Sequence, residues 1–158
     1  LRSKRTPYEA GVRTPILLRW PGRIAPERLE SYATSLDLVP TLLTAAGGKL
    51  PLGLPGIDLR DRRAVMARRR IFGENFTHDA VDIRRPSTSL LSRWVVDDGW
   101  KLILPVPGVN GEDVPDRPLL YRIEQDPDER RDLAAQEPRR VAQLRRRLDA
   151  WWAPWGVR

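Results

Sequence analysis

"SRWVVDDGWKLILP", residues 92–105, decides how the second half of this chain folds. Two β-prone runs flank Asp98-Gly99, a preferred pair for a tight turn, so the segment reads as a β-hairpin. Working outward, "RIFGENF" (70–76) and "PLLYRI" (118–123) are further strands. "DPDERRDLA" (126–134) is expected to be a turn and a short helix, with Asp126 as cap and Pro127 at the first helical position. In "EPRRVAQLRRRLDAWW" (137–152), Val141, Leu144, Leu148 and Trp151 recur three and four apart, with arginines elsewhere, which predicts an amphipathic helix. Strands in hairpins closed by one helix predict a small antiparallel α+β layer.

The first part reads differently. "TPILLRWPG" (14–22) holds the apolar run Ile16-Leu17-Leu18, ended by Pro21-Gly22, and predicts a buried strand. "SLDLVPTLLTAAGG" (35–48) predicts a helix. Asp37 is its expected N-cap, which puts Pro40 in the first turn, where a missing N–H costs little. Gly47 or Gly48 is expected to close it in a left-handed conformation. Strand followed by helix is an α/β pattern. A Gly/Pro-rich connector (47–59) and a charged, irregular stretch (60–70) follow. We place the organisational boundary there, giving an α/β piece over 1–61 and an antiparallel-sheet-plus-helix subdomain over 62–158.

A chain of 158 residues with a hydrophobic fraction of 41% can bury a core. There is no cysteine, which excludes disulfides, thiolate metal sites and a cysteine nucleophile in this sequence. No apolar run approaches the ~20 residues of a membrane span, so no membrane partner is expected. The net charge is +7, and only three of the 28 basic residues are lysine. Arginines are mixed with acids nearly everywhere, so most, including the runs 68–70 and 145–147, read as solvated faces.

"KRTPYEAGVRTPILLRWPG" (4–22) resembles the lysine, tyrosine-glutamate-glycine-glycine, arginine-x-proline segment of the formylglycine-dependent sulfatases, of arylsulfatase type, in the alkaline phosphatase superfamily. "SLDLVPTLLTAAG" (35–47) resembles the helix that follows it there. "GWKLIL" (99–104), "LLYRIEQDPDERRDLA" (119–134) and the tryptophan-bearing last helix resemble the family's closing subdomain. Ala10 stands where the family has its second motif glycine. Tyr121-Arg122-Ile123 replaces its tyrosine-aspartate-leucine.

The resemblance implies a C-terminal fragment of a sulfuric ester hydrolase. The complete enzyme would use a formylglycine beside a calcium ion, carried by an N-terminal catalytic segment missing here. None of the six serines lies in the modification motif, and the family's metal-binding aspartate–asparagine pair has no counterpart. No residue of this chain is therefore expected to be catalytic, to bind a metal or to carry a cofactor, and the chain alone is expected to be inactive. A periplasmic or secreted location is implied for the complete protein.

Lys4 matches the lysine that contacts sulfate in the family. The chemistry needs a fixed cation there, because charge on the sulfuryl oxygens must be stabilised. Glu9 and Arg13, four apart, are expected to support the site as an internal ion pair, and Gly11 to supply a backbone angle other residues resist. His78, the only histidine, sits in a loop after a strand and is the second candidate for substrate contact. Asp97-Asp98-Gly99 superficially resembles paired metal aspartates, but its hairpin context assigns it to turn chemistry. Trp151, Trp152 and Trp155 read as packing residues. The competing reading is a standalone basic module binding sulfated or acidic glycans or nucleic acid. Its nucleic-acid form ranks last for want of any recognised reading motif.

Overall fold

The computed structural model describes residues 3–107 and 114–152; Trp155 lies outside them. The helices are α1 (Glu9–Val12), α2 (Leu38–Ala45), α3 (Arg62–Ala67) and α4 (Pro138–Trp151). The strands are β1 (Arg70–Phe76), β2 (Leu90–Asp97), β3 (Trp100–Pro105) and β4 (Leu119–Arg122). Contacts divide the chain into Thr14–Ile71 and a second unit in which the leading loop, through Arg13, joins the segment from Phe72 onward.

The hairpin forms as read. β2 and β3 pair antiparallel with Asp97 opposite Trp100. Asp98 and Gly99 both adopt positive φ, 51° and 77°, the conformation a two-residue turn needs to match strand twist. β4 pairs antiparallel with β3, and the sheet order is β1-β2-β3-β4. Strand alternation sends Val95, Leu102, Leu104 and Leu120 to one face, where they meet Leu144 and Leu148 of α4. Both helix leucines are fully buried, each contributing roughly 1.5–3 kcal/mol by burial. Val141 packs beside them, and Trp151 stacks on Phe72 at 4.9 Å. Polar side chains fix the helix further. Arg93 of β2 donates to Asp149 at 2.8 Å and to the Trp152 carbonyl at 2.5 Å, a cation placed at a helix C-terminus. Arg147 pairs with the buried Asp97, so the 145–147 run is not simply a solvated face.

The short helix expected over 126–134 does not form. Asp126 instead accepts from the backbone N–H groups of Arg130 and Arg131, and Glu129 takes φ 53°. A left-handed residue at that point stops a helix and turns the Glu129 carboxylate inward.

In Thr14–Ile71, α2 ends as predicted. Gly47, at φ 78°, donates to Thr44, and Gly48 donates to the Leu43 carbonyl at 2.9 Å. That pair of bonds is the Schellman closure. Asp37 stands at the N-terminus of α2, but its side chain does not cap that helix. It is fully buried and accepts from Thr34 N–H (2.7 Å), Ile57 N–H (2.9 Å) and both terminal nitrogens of Arg68 (2.5 and 2.8 Å). Burial pushes the Asp37 carboxyl up, but the Arg68 hydrogen bonds and the two backbone donors outweigh it and hold the group below its ordinary value. The stretch read as irregular contains α3, which starts because Asp61 accepts from Ala64 N–H at 3.0 Å. The strand expected over 14–22 is absent, and Leu17 is 90% exposed. An apolar run makes a strand only where another strand offers hydrogen bonds, and none does so here among the described residues.

Candidate functional site

The leading loop is built from short-range bonds. Thr6 donates twice to the Ser3 carbonyl, through its hydroxyl at 2.6 Å and its N–H at 3.1 Å. The turn so closed carries Lys4 and Arg5, both exposed. Arg5 takes φ 73°, a strained angle for a residue with a Cβ, which persists only where the surroundings fix it. One fixing contact is Asn75 at the end of β1, whose amide donates to the Arg5 carbonyl at 3.1 Å. Among the described residues Lys4 makes no ion pair.

From Thr6 the chain goes inward. Thr6 and Tyr8 are buried, and Tyr8 meets Tyr121 edge-on at 6.2 Å. Tyr8, Ile103, Leu119 and Tyr121 form a second apolar cluster, on the face of the sheet opposite α4. Gly11, in the single turn of α1, does not take the left-handed angle expected of it. Its role is close approach: a Cβ there would lie 2.4 Å from the Ser3 and Thr6 carbonyl oxygens. The turn bearing Lys4 therefore rests directly on Gly11.

At the inner end of the loop lies a charge cluster that sequence reasoning missed. Lys101 of β3 is fully buried. Its ammonium is 2.7 Å from Glu9 Oε1 and 3.1 Å from Glu129 Oε1. The Glu9 backbone N–H donates to Glu129 Oε2 at 2.5 Å. Glu129 is also buried, and burial pushes its carboxyl above the ordinary carboxylate range, against the opposing pull of Lys101. Glu9 is thus held by Lys101 and does not pair with Arg13, which is exposed. The signal that marks Lys101 is its position: a lysine within an apolar strand run must find its counter-charges inside the protein.

His78 is exposed in the loop after β1. The Asn75–Arg5 bond joins the two segments that carry Lys4 and His78. Among the described residues no three acidic or histidine side chains gather as a metal-ligand set. With no cysteine and no serine in the modification motif, no residue of this sequence fits formylglycine, and among the described residues none are grouped to hold calcium. What the loop offers is an ammonium, unpaired among the described residues, on a hydrogen-bonded turn and suited to one anionic oxygen.

The family model described as N-sulphoglucosamine sulphohydrolase, C-terminal, matches residues 1–151. Arylsulfatase A of Homo sapiens is 54% identical over 57 residues, covering 35% of this chain and 11% of that protein. Steryl-sulfatase of Mus musculus is 31% identical over 154 residues, covering 84% of this chain and 24% of that protein. N-acetylgalactosamine-6-O-sulfatase of Bacteroides thetaiotaomicron is 28% identical over 156 residues, covering 93% and 29%. A solved structure from a Bacteroides thetaiotaomicron locus for glycosaminoglycan metabolism superimposes with a TM-score of 0.65 at 22% identity, covering 90% of this chain and 29% of that one. Another, in complex with its substrate D-glucosamine-2-N,6-O-disulfate, gives 0.51 at 18% identity, covering 76% and 24%. The chain spans less than a third of each of these relatives. It belongs to the sulfatase family, as that family's C-terminal portion.

Proposed function

We propose that this chain supplies the sulfate-contacting lysine and a substrate-side subdomain to an enzyme that hydrolyses sulfate esters. The observation that carries the reading is Lys4: exposed, unpaired among the described residues, and held on a turn whose neighbours are bonded and buried. An ammonium so placed binds one sulfuryl oxygen and stabilises the charge that builds on it in the transition state. Glu9 and Gly11 support the loop, with Glu9 as its inner hook. His78 faces substrate from the neighbouring segment.

In the complete enzyme we assign residues 1–61 to the distal part of the catalytic domain and 62–158 to the closing subdomain. Formylglycine and calcium belong to the N-terminal catalytic segment, which is this chain's partner, and the chain alone does not turn over substrate. We assign the complete enzyme a periplasmic or secreted location. No helix among the described residues is long and apolar enough to cross a membrane.

The test is Lys4→Ala in the complete enzyme, with steady-state kinetics on an aryl sulfate and a melting curve. Turnover and kcat/KM should both fall about a hundred- to thousandfold, the loss seen when a comparable electrostatic donor is removed. The melting temperature should not move, because an exposed side chain carries little packing. Near-normal turnover would remove Lys4 from the site and make Arg13 the next candidate.

A further inference from the structure

Lys101 lies beneath the loop, with its ammonium committed to two carboxylates, so it cannot itself touch a substrate. We propose that Lys101 is a positioning residue for Lys4: by clamping Glu9 against Glu129 it sets where the Lys4 ammonium stands. This rests on the assignment of Lys4 to sulfate.

The linkage can be followed bond by bond. Lys101 holds the Glu9 side chain, and Glu129 holds the Glu9 backbone N–H. Glu9 opens α1, where Gly11 and Val12 donate to the Tyr8 carbonyl and Arg13 donates to that of Glu9. Gly11 abuts the Ser3 and Thr6 carbonyls. Those two residues close the turn that bears Lys4. Each step is a hydrogen bond or a contact too close for a methyl group, so a shift at Glu9 is passed on rather than absorbed.

A second feature agrees. Glu129 adopts φ 53°, an unfavourable angle for glutamate, and thereby aims its carboxylate at both Lys101 and the Glu9 N–H. A cluster needed only to neutralise a buried lysine would be complete with Glu9 alone. The second carboxylate adds a bond to the loop backbone, which fixes position as well as charge. Misplacing a reacting group by about 1 Å can cost on the order of a hundredfold in rate, so such a clamp has a kinetic consequence.

The experiment is a double-mutant cycle in the complete enzyme, reading kcat and inhibition by inorganic sulfate. Lys101→Met in the parent should weaken sulfate inhibition and lower kcat, by about ten- to a hundredfold. In a Lys4→Ala background the same change should cost less than about twofold, because the ammonium it positions is gone. An equal penalty in both backgrounds, or none in the parent, overturns the positioning role. Lys101→Met strands the buried Glu129 carboxylate and the half-buried one of Glu9, so Glu9→Gln serves as the second variant, since it leaves Glu129 to balance Lys101. It should cost several-fold in sulfate affinity in the parent and nothing beside Lys4→Ala. A lowered melting temperature with unchanged sulfate inhibition would again overturn the proposal. Lys4→Ala alone tests the underlying assignment. If that variant keeps normal sulfate inhibition, the assignment fails, whereas a large Lys4→Ala effect with an additive Lys101→Met penalty sinks only the positioning role.

Discussion

Removing the Arg68 side chain should expose how Thr14–Ile71 is held together. Asp37 is fully buried, and Arg68 provides two of the four hydrogen bonds that reach its carboxylate. Arg68→Ala leaves a buried anion with two backbone donors and no counter-charge. Breaking a buried pair from one side costs roughly 3–5 kcal/mol. The surviving donors from Thr34 and Ile57 put the expected loss near the lower end, about 3 kcal/mol. The pH dependence is sharper than the magnitude. In the parent, Asp37 sits below its ordinary value, so its contribution is present above the unfolded pKa of about 3.9 and is lost as pH falls through the folded value. In the variant, burial acts against a weakened set of donors, so the folded pKa rises above the unfolded one. Relative to the parent, the variant then regains stability as pH falls toward about 4, and the gap between them narrows. Urea unfolding of the chain, followed by circular dichroism and tryptophan fluorescence at pH 7 and at stepwise lower pH, measures the gap. A gap below about 1 kcal/mol at pH 7, or one that stays constant on acidification, would refute the assignment of Asp37 as an ionised hub.

Other perturbations have equally direct readouts. Gly11→Ala forces a methyl against two backbone carbonyls and should destabilise by about 1–3 kcal/mol, seen as a lower urea midpoint. Leu148→Ala empties a fully buried position between α4 and the sheet and should cost about 2–5 kcal/mol in the same assay. Glu129 has a raised carboxyl pKa, so it opposes folding at neutral pH and is relieved as pH falls through its folded value. Glu129→Gln should therefore flatten stability against pH between neutrality and about pH 4 in melting curves.

The sheet unit was legible where local rules act alone. Asp98-Gly99 demands positive φ, and the 3.6-residue spacing of Leu144 and Leu148 demands a buried helix face; both follow from a few adjacent residues. The Gly47-Gly48 closure was legible for the same reason. Misreadings arose where a distant partner decides. Ile16-Leu17-Leu18 carries strand-forming residues but finds no strand to pair with among the described residues. Arg68 and Arg147 look like members of solvated runs until Asp37 and Asp97 approach them across 31 and 50 positions. Glu9 has a plausible partner at Arg13, but its actual partner, Lys101, is 92 residues away.

The Lys101 cluster has a signature of its own in the sequence. β3 reads Trp100-Lys101-Leu102-Ile103-Leu104, without the polar alternation of a strand that is wet on one face. Both faces must then be covered, and α4 can cover only one of them. The other cover has to come from elsewhere in the chain, and a lysine facing it requires acids there. Charge alone does not require two acids, and a well-packed apolar replacement of such a cluster is often as stable or more so. What an apolar replacement lacks is direction. An ammonium with two carboxylates at 2.7 and 3.1 Å admits one placement of the Glu9 backbone, whereas aliphatic side chains tolerate a sliding contact. Under the role proposed for Lys4, a loop that presents one cation to one oxygen gains from that restriction. The buried charges are therefore better explained by the geometry they impose on residues 3–13 than by any stability they add.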